Sequence, residues 1–248
     1  MNARRLVTLV VAPMVVSLLN VPAARAEVQA TAIASTKDLP SSVDLRPEME
    51  AWKLFPKRQG KRNTCSVFVT VGAMEYAVSK HAGEGRPLSV EYLNWACNQV
   101  IGNRTADRGQ FFHDLLRGFE KHGICSEELM PYQQRYTPLE PSAKAVMQAA
   151  SVRDLGLKVH WIRRWSKNSG LTEEQFVAIK TTLAEGWPVC AGSNHSRLLV
   201  GYVDDESSAG GRFITSDSAI GRYGEISYPW AREHIYDLFW VESPLSPQ

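Results

Sequence analysis

Apolar residues recur at helical spacing mainly in the first half of the chain, whereas the second half carries mostly short apolar runs of strand length. The helical spacing predicts four helices, over residues 65–81, 89–99, 110–122 and 172–185, the last beginning with a capping box. The short runs predict six strands, over residues 152–161, 187–191, 196–203, 211–217, 225–228 and 238–241. This segregation predicts an α+β fold with a cleft between a helical half and a sheet half.

The helix predicted from residue 65 carries a cysteine on its first turn. Gln59 and the turn-forming Gly60 lie a few residues before Cys65. The N-terminus of a helix favours negative charge, so a thiol there is biased toward the nucleophilic thiolate. A side-chain amide held upstream of the turn can donate to an oxyanion beside the backbone N–H of the cysteine. The segment therefore predicts Cys65 as a nucleophile and Gln59 as part of an oxyanion hole.

A base for that nucleophile is predicted in a hairpin of the second half. His195 lies 130 residues after Cys65 and opens one strand, and Asp217, 22 residues further on, closes the returning strand. Since a hairpin places the start of one strand beside the end of the next, His195 and Asp217 are predicted to be neighbours. A nucleophilic thiol needs a base, and the base needs a group that orients it. Cys65, His195, Asp217 and Gln59 are therefore the candidate catalytic residues.

These residues stand in segments that resemble those of papain-family cysteine peptidases. The family's Q-G-x-x-x-x-C segment matches residues 59–65, and its H-x-x-x-x-V-G-Y strand matches residues 195–202. The separation of Cys65 from His195 also fits the spacing of the family, and weaker similarities extend from Leu39 to Val241. The resemblance implies a two-lobed fold, with a helical lobe packed on an antiparallel, barrel-like sheet. It also implies hydrolysis of peptide or protein substrates without a cofactor.

The chain departs from the family at positions close to the predicted site. Ser66 stands where the family usually has tryptophan, Arg62 where it usually has a disulfide cysteine, and Asp217 where it usually has asparagine. An aspartate can still accept from the base, and it holds an imidazolium more strongly. By the resemblance, Gly109 lies on the substrate cleft, although its neighbours differ from the family's glycine pair. The loop before His195 is short, which predicts a cleft that lacks part of its primed side.

The first 38 residues carry the pattern of an exported protein. Two arginines precede an apolar run over residues 6–19, and small residues at 24 and 26 suit a signal peptidase. We expect residues 1–26 to be a signal peptide, 27–38 a short leader and 39–248 the peptidase domain, located in a bacterial periplasm or secreted. Because the apolar run is too short for a spanning helix, we expect no stable membrane anchor after cleavage. Retention of the uncleaved segment in a membrane is the alternative.

Composition narrows the set of partners further. A net charge of +2 gives no case for nucleic acid, and no phosphate-binding or dinucleotide motif occurs. The histidines and cysteines lack the spacing of zinc ligands, so we predict no metal site and no cofactor. Cys190 lies in an apolar run that suits the core. Cys97 and Cys125 could form a disulfide in an oxidising compartment, and the sequence alone leaves their pairing open.

Two alternatives to a peptidase remain open from the sequence. A transglutaminase-type acyltransferase uses the same cysteine, histidine and aspartate, and passes the acyl group to an amine instead of water. A non-catalytic, papain-like binding protein would tolerate Ser66 and the shortened loop, but it has no need to keep all four catalytic residue types. The sequence therefore favours a peptidase, and it leaves the substrate and the oligomeric state undetermined.

Overall fold

The structure is a computed structural model of the 248-residue chain. It describes residues 39–103, 107, 109–207 and 209–243. The predicted signal peptide and leader, residues 1–38, lie outside the described residues. Within the described ranges, no helix is both long enough and apolar enough to cross a bilayer.

Helices predominate up to Arg153 and strands predominate after it, which confirms the α+β class. The predicted helices at 65–81, 89–99, 110–122 and 172–185 correspond to α2, α3, α4 and α6 with ends shifted by no more than two residues. The elements, in chain order, are β1 (Ser42–Asp44), α1 (Arg46–Ala51), α2 (Cys65–Ala82), α3 (Val90–Ile101), α4 (Phe112–His122), α5 (Ala143–Arg153), β2 (Lys158–Arg163), α6 (Glu173–Ala184), β3 (Val189–Gly192), β4 (Arg197–Asp204), β5 (Gly211–Asp217), β6 (Arg222–Ser227), α7 (Tyr228–His234) and β7 (Asp237–Glu242).

Helix α2 is the central helix of the molecule. Its residues from Ser66 to Ser79 are all buried except Gly72. It packs against helices α3 and α4 and against strands β3, β4 and β7. Gly83, in the left-handed conformation that glycine adopts without strain, ends it. Because the core surrounds α2, its first residue, Cys65, is held in a fixed position relative to the sheet.

Helix α5 was not predicted from the sequence. We expected a strand over residues 152–161, whereas α5 ends at Arg153 and β2 begins only at Lys158. Of the residues of α5, only Ala145 and Ala149 are buried, and Met147 is 70% exposed. A helix that buries two alanines has no apolar stripe, so its hydrophobic periodicity is weak.

The strands form one antiparallel sheet in the order β2-β7-β3-β4-β5-β6, with β1 paired to β4. Strand β2 pairs with β7 and strand β6 with β5. Among the described residues these two edge strands do not pair with each other, so the sheet is open. The expectation of a barrel-like closure was therefore wrong. Helix α6 packs against β2, β3 and β4.

Strands β4 and β5 form the hairpin predicted to carry His195 and Asp217. Leu198 pairs with Ser216 in this hairpin. The next residues outward, Arg197 and Asp217, therefore lie opposite each other, and His195 precedes β4 by two residues. Because α2 packs against β4, this end of the hairpin meets the first turn of α2.

Candidate active site

The thiol of Cys65 lies at the N-terminus of α2, against the start of β4. Its polar neighbours are the His195 imidazole and Ser196. Burial alone would raise the pKa of this thiol, but hydrogen bonding to His195 and Ser196 and the charge of His195 outweigh burial, so the pKa lies below its ordinary value. No side chain caps the helix at Thr64, so the N-terminal N–H groups also favour a thiolate.

The imidazole of His195 connects the thiol to a carboxylate. Its Nε2 lies 2.7 Å from Oδ1 of Asp217, which leaves the other ring nitrogen for Cys65. The hydrogen bond to Asp217, followed by the one to Cys65, outweighs burial and raises the pKa of His195 to about 9. A lowered thiol pKa and a raised imidazole pKa both favour transfer of the thiol proton to His195. The structure thus brings together the three residues that the sequence predicted.

The carboxylate of Asp217 is held by three donors. Besides the His195 contact, Oδ1 accepts the backbone N–H of Ala219 at 2.9 Å, and Oδ2 accepts Nε–H of Arg197 at 3.0 Å. Burial would raise the pKa of Asp217, but His195, the Ala219 N–H and the charge of Arg197 bring it to about 2. Asp217 is therefore an anion throughout the neutral range, and both of its oxygens accept hydrogen bonds.

Arg197 is a site residue that the sequence analysis missed. Its Nη1 donates to the carbonyl of His195 at 3.0 Å, so the same guanidinium binds both His195 and Asp217. The guanidinium also lies 5.3 Å from the ring centroid of Trp230 in α7. The signal that could have revealed Arg197 is its hairpin register, since it lies directly opposite Asp217.

Gln59 is buried beside the hairpin and is fixed at both ends of its amide. Its Oε1 accepts the hydroxyl of Ser218 at 2.7 Å, and its Nε2 donates to the carbonyl of Arg62 at 2.7 Å. The Gln59 backbone N–H also donates to the Ser218 carbonyl at 2.9 Å. An amide nitrogen carries two hydrogens, so one Nε2–H remains for another acceptor. The oxyanion role of Gln59 stays a prediction.

Arg62, at the position where the family usually has a disulfide cysteine, forms a buried ion-pair cluster. Its guanidinium binds Glu91 through Nη1–Oε2 at 2.5 Å and Asp107 through Nε–Oδ2 at 2.6 Å. It also donates to the carbonyl of Gln133 at 2.6 Å and lies 4.6 Å from the ring centroid of Tyr132. Arg62 is 5% exposed. Through Glu91 the cluster joins the loop before Cys65 to α3, and through Asp107 it joins that loop to the connection between α3 and α4.

All four cysteines of the chain are free thiols in this structure. Cys97 packs in the main core, whereas Cys125 packs in a smaller cluster with Tyr92 and Ala96. The disulfide left open by the sequence is not formed in this structure. Burial raises the pKa of Cys97 and of Cys125 to about 12, so neither is an activated thiol.

A cavity of about 310 Å³ lies next to Cys65. Gly109, predicted to contact substrate, lines it, as do aromatic side chains of α4 and of the loop after β2. Asp237, at the start of β7, is the acidic residue of the lining. Among the described residues, no group of three or more histidine, cysteine or acidic side chains is arranged to hold a metal ion. The lining residues are Cys65, Ser66, Gly109, Gln110, Phe111, Phe112, Trp165, Gly192, Ser193, Asn194, Ser196, Tyr236 and Asp237.

Most of the chain matches a known protein family. The family described as papain family cysteine protease matches residues 39–229, a span that contains all four predicted catalytic residues. The chain belongs to the papain family. Among curated relatives, cathepsin Q of Rattus norvegicus is 32% identical over 111 residues. That alignment covers 43% of this chain and 32% of the relative, about a third of its length.

Solved structures of papain-family proteases share the fold. Xylellain, a cysteine protease from Xylella fastidiosa, superposes with a TM-score of 0.64 at 18% identity, covering 86% of this chain and 88% of its own. Digestive procathepsin L 3 of Tenebrio molitor gives 0.62 at 19% identity, covering 84% and 71%. The bromelain protease from Ananas comosus gives 0.57 at 14% identity, covering 82% and 99%. These structures confirm the papain-like fold that the resemblance implied.

Proposed function

We propose that this protein is a cysteine peptidase in which Cys65 is the nucleophile, His195 the base and Asp217 the orienting group. The observation that carries the proposal is the series of neighbouring groups that runs from the Cys65 thiol, whose pKa His195 lowers, through the His195 imidazole to the Asp217 carboxylate 2.7 Å away. The series begins at the N-terminus of a buried helix, in a member of the papain family. Such a series supplies what a thiol needs to be nucleophilic near neutral pH.

The proposed reaction begins when the Cys65 thiolate attacks the carbonyl carbon of a peptide bond. A C–S bond forms, and the carbonyl electrons move to the oxygen, where the Cys65 N–H and the remaining Nε2–H of Gln59 stabilise them by about 3 kcal/mol per donor. The imidazolium of His195 gives its proton to the departing amine as the C–N bond breaks. Neutral His195 then takes a proton from water, which attacks the thioester and releases the acid and Cys65.

The two alternatives have less support. The family match is to cysteine proteases, and no observation favours amine over water as the acyl acceptor. A binding protein would not require the thiol, imidazole and carboxylate to remain linked, as they are here. Peptide hydrolysis is therefore the function that the geometry supports best.

The proposal is tested by turnover of fluorogenic peptide amides and by alkylation of Cys65. We expect hydrolysis by the wild-type protein and none by Cys65→Ser or His195→Ala, with all three folded by circular dichroism. His160→Ala is the matched control, because His160 also pairs with a carboxylate, at 2.8 Å from Glu242, but lies on the edge strand β2. Formation of an amide with added butylamine in preference to hydrolysis would instead support acyl transfer. Full activity of Cys65→Ser would refute the proposal.

We also propose that the chain is exported, on the strength of its N-terminal sequence. Arg4 and Arg5 precede the apolar run. Ala24 and Ala26 occupy the third and first positions before a cleavage site that precedes Glu27. Expression of the full chain in a bacterium, followed by fractionation and N-terminal sequencing, tests this. We expect a periplasmic or secreted product beginning at Glu27. An intact N-terminus in the membrane fraction would support retention instead.

A further inference from the structure

Arg197 binds Asp217 from near the protein surface, where ion pairs are usually weak. The Arg197 side chain is 22% exposed, whereas that of Asp217 is 9% exposed. An arginine side chain loses much conformational entropy when it is fixed, so part-exposed ion pairs often contribute little. Arg197 nevertheless makes two directed contacts, to Oδ2 of Asp217 and to the carbonyl of His195, each at 3.0 Å. A further contact must therefore restrict the guanidinium to this orientation.

The contact that restricts Arg197 comes from helix α7. The guanidinium carbon of Arg197 lies over the ring of Trp230, 5.3 Å from its centroid, within the range of a cation–π attraction. A guanidinium has its N–H groups in its own plane, so it can lie over an aromatic ring and still donate at its edges. Two of these N–H groups bind Asp217 and His195. Trp230 is thus connected to the base and its carboxylate through Arg197.

Trp230 is itself fixed by α7. Its backbone N–H donates to the hydroxyl of Ser227, the N-cap, at 3.4 Å. Its ring stacks on the ring of His234, with 4.9 Å between centroids and 4° between planes. Tyr228 and Ala231 are the buried residues of this helix, which packs against β5 and β6. The indole therefore has a defined position relative to β5, the strand that ends at Asp217.

We propose that Trp230 is a positioning residue for the pair formed by His195 and Asp217, and that it acts through Arg197. The inference rests on the proposed peptidase function, since the orientation of His195 affects the reaction only if His195 is the base. Trp230 restricts the guanidinium, the guanidinium holds Oδ2 of Asp217, and Oδ1 is thereby directed at the imidazole. Helix α7 supports the catalytic residues in this way, although Tyr228–His234 line no part of the cavity beside Cys65.

The charge of Arg197 gives this role a signature in the pH dependence. The charged and titratable groups around His195 are Cys65 on α2, Arg197 on β4, Asp217 on β5 and, further out on α7, His234. Hydrogen bonding to Asp217, followed by that to Cys65, raises the pKa of His195 to about 9. The cation of Arg197 opposes a second positive charge, so its loss should raise this pKa further. Activity that needs the imidazolium would then be lost at a higher pH than in the wild-type protein.

Rates of hydrolysis of a neutral peptide amide, measured over pH, test the proposal. In Trp230→Ala we expect kcat to fall about 3- to 30-fold with KM within about twofold, as for loss of a cation–π contact. Trp230→Phe keeps an aromatic ring and should stay within about threefold of the wild type. Trp230→Leu keeps an apolar side chain without the ring, so it should resemble Trp230→Ala and replaces that variant if it does not fold. Equal activity of Trp230→Leu and Trp230→Phe would overturn the proposal.

Two substitutions of Arg197 separate its geometry from its charge. Arg197→Lys keeps the charge but not the planar fork, so kcat should fall while the alkaline limit of activity stays in place. Arg197→Met should lower kcat and move that limit upward by about one pH unit. Arg212→Met is the matched control, because Arg212 on β5 is also a part-exposed arginine and pairs with Asp205 and Glu225. We expect it to match the wild type in rate and in pH limit.

A double-mutant cycle decides whether Trp230 acts through Arg197. If it does, adding Trp230→Leu to Arg197→Met should lower kcat no further, and additive losses would overturn the proposal. The pKa of the His195 ring, followed by NMR without substrate, should rise in both single variants. If peptides are not hydrolysed but this rise is found, the peptidase proposal fails while the positioning contact stands. A His195 pKa that rises in Arg197→Met but not in Trp230→Leu would show that the indole does not hold the guanidinium.

Discussion

The arrangement of donors around Asp217 makes a sharp prediction about its replacement by the asparagine that is usual in the family. Oδ1 accepts from His195 and Ala219, and Oδ2 accepts from Arg197. An asparagine offers one acceptor oxygen and an NH₂ group. In Asp217→Asn, either His195 or Arg197 must therefore face a donor. Asparagine should not restore function here, because Arg197 is present.

The size of the effect has two parts. The pKa of His195 is about 9 instead of 6.5, which corresponds to roughly 3 kcal/mol at about 1.4 kcal/mol per pH unit. Asp217 is the largest contributor, so its share is about 2 kcal/mol, or about 30-fold in the ion-pair population. The unpaired donor adds about 1 to 2 kcal/mol. Together they predict a loss of kcat/KM of roughly 10²- to 10³-fold in Asp217→Asn.

The double variant Asp217→Asn/Arg197→Met separates the two parts. Removing the second donor should recover about tenfold of the kcat/KM lost in Asp217→Asn, although Arg197→Met alone should lower activity. The assay is kcat/KM over pH with a neutral peptide amide, together with the pH dependence of Cys65 alkylation, analysed as a double-mutant cycle. A double variant no more active than Asp217→Asn would refute the reasoning that the donors compete for one oxygen.

Three further predictions concern the nucleophile, the oxyanion and the buried ion pairs. Iodoacetamide should alkylate Cys65 at a lower pH than it alkylates an ordinary thiol, because hydrogen bonding to His195 lowers the pKa of Cys65 against the effect of burial. In His195→Ala the same rate should appear only near pH 8.5 or above, the range of an ordinary thiol; equal profiles would contradict the ion pair. Gln59→Ala should lower kcat about 10²- to 10³-fold with little change in substrate binding or alkylation, and an unchanged acylation rate would remove Gln59 from the oxyanion hole. Arg62→Met should lower the free energy of unfolding in urea by about 3 to 5 kcal/mol, because Glu91 keeps a buried, uncompensated charge; a change below 1 kcal/mol would show that the pair is not buried in solution.

The sequence predicted Cys65, His195 and Asp217 because a local pattern of residues specifies the position of each. Cys65 follows from the start of an apolar helix, and His195 and Asp217 follow from the two ends of one hairpin. Arg197 lies in the same hairpin and was missed, because the register was not extended to the residue opposite Asp217. Helix α5 was missed because it buries only Ala145 and Ala149.

Other features could not be predicted because they depend on contacts between distant segments. Arg62 was noted as a departure from the family, but its partner Glu91 lies 29 residues away and is identified only by the packing of α3. The open sheet likewise depends on which strands pair, and hydrophobic periodicity does not specify strand pairing.

The ion pairs of Arg62 also determine what holds the loop before Cys65 in place. In this structure the loop before Cys65 is fastened to α3 by ion pairs, and none of the four cysteines is in a disulfide. Reductants that keep Cys65 as a thiol therefore leave these ion pairs intact. The loop before the nucleophile is thus held in place by charge and not by a covalent crosslink.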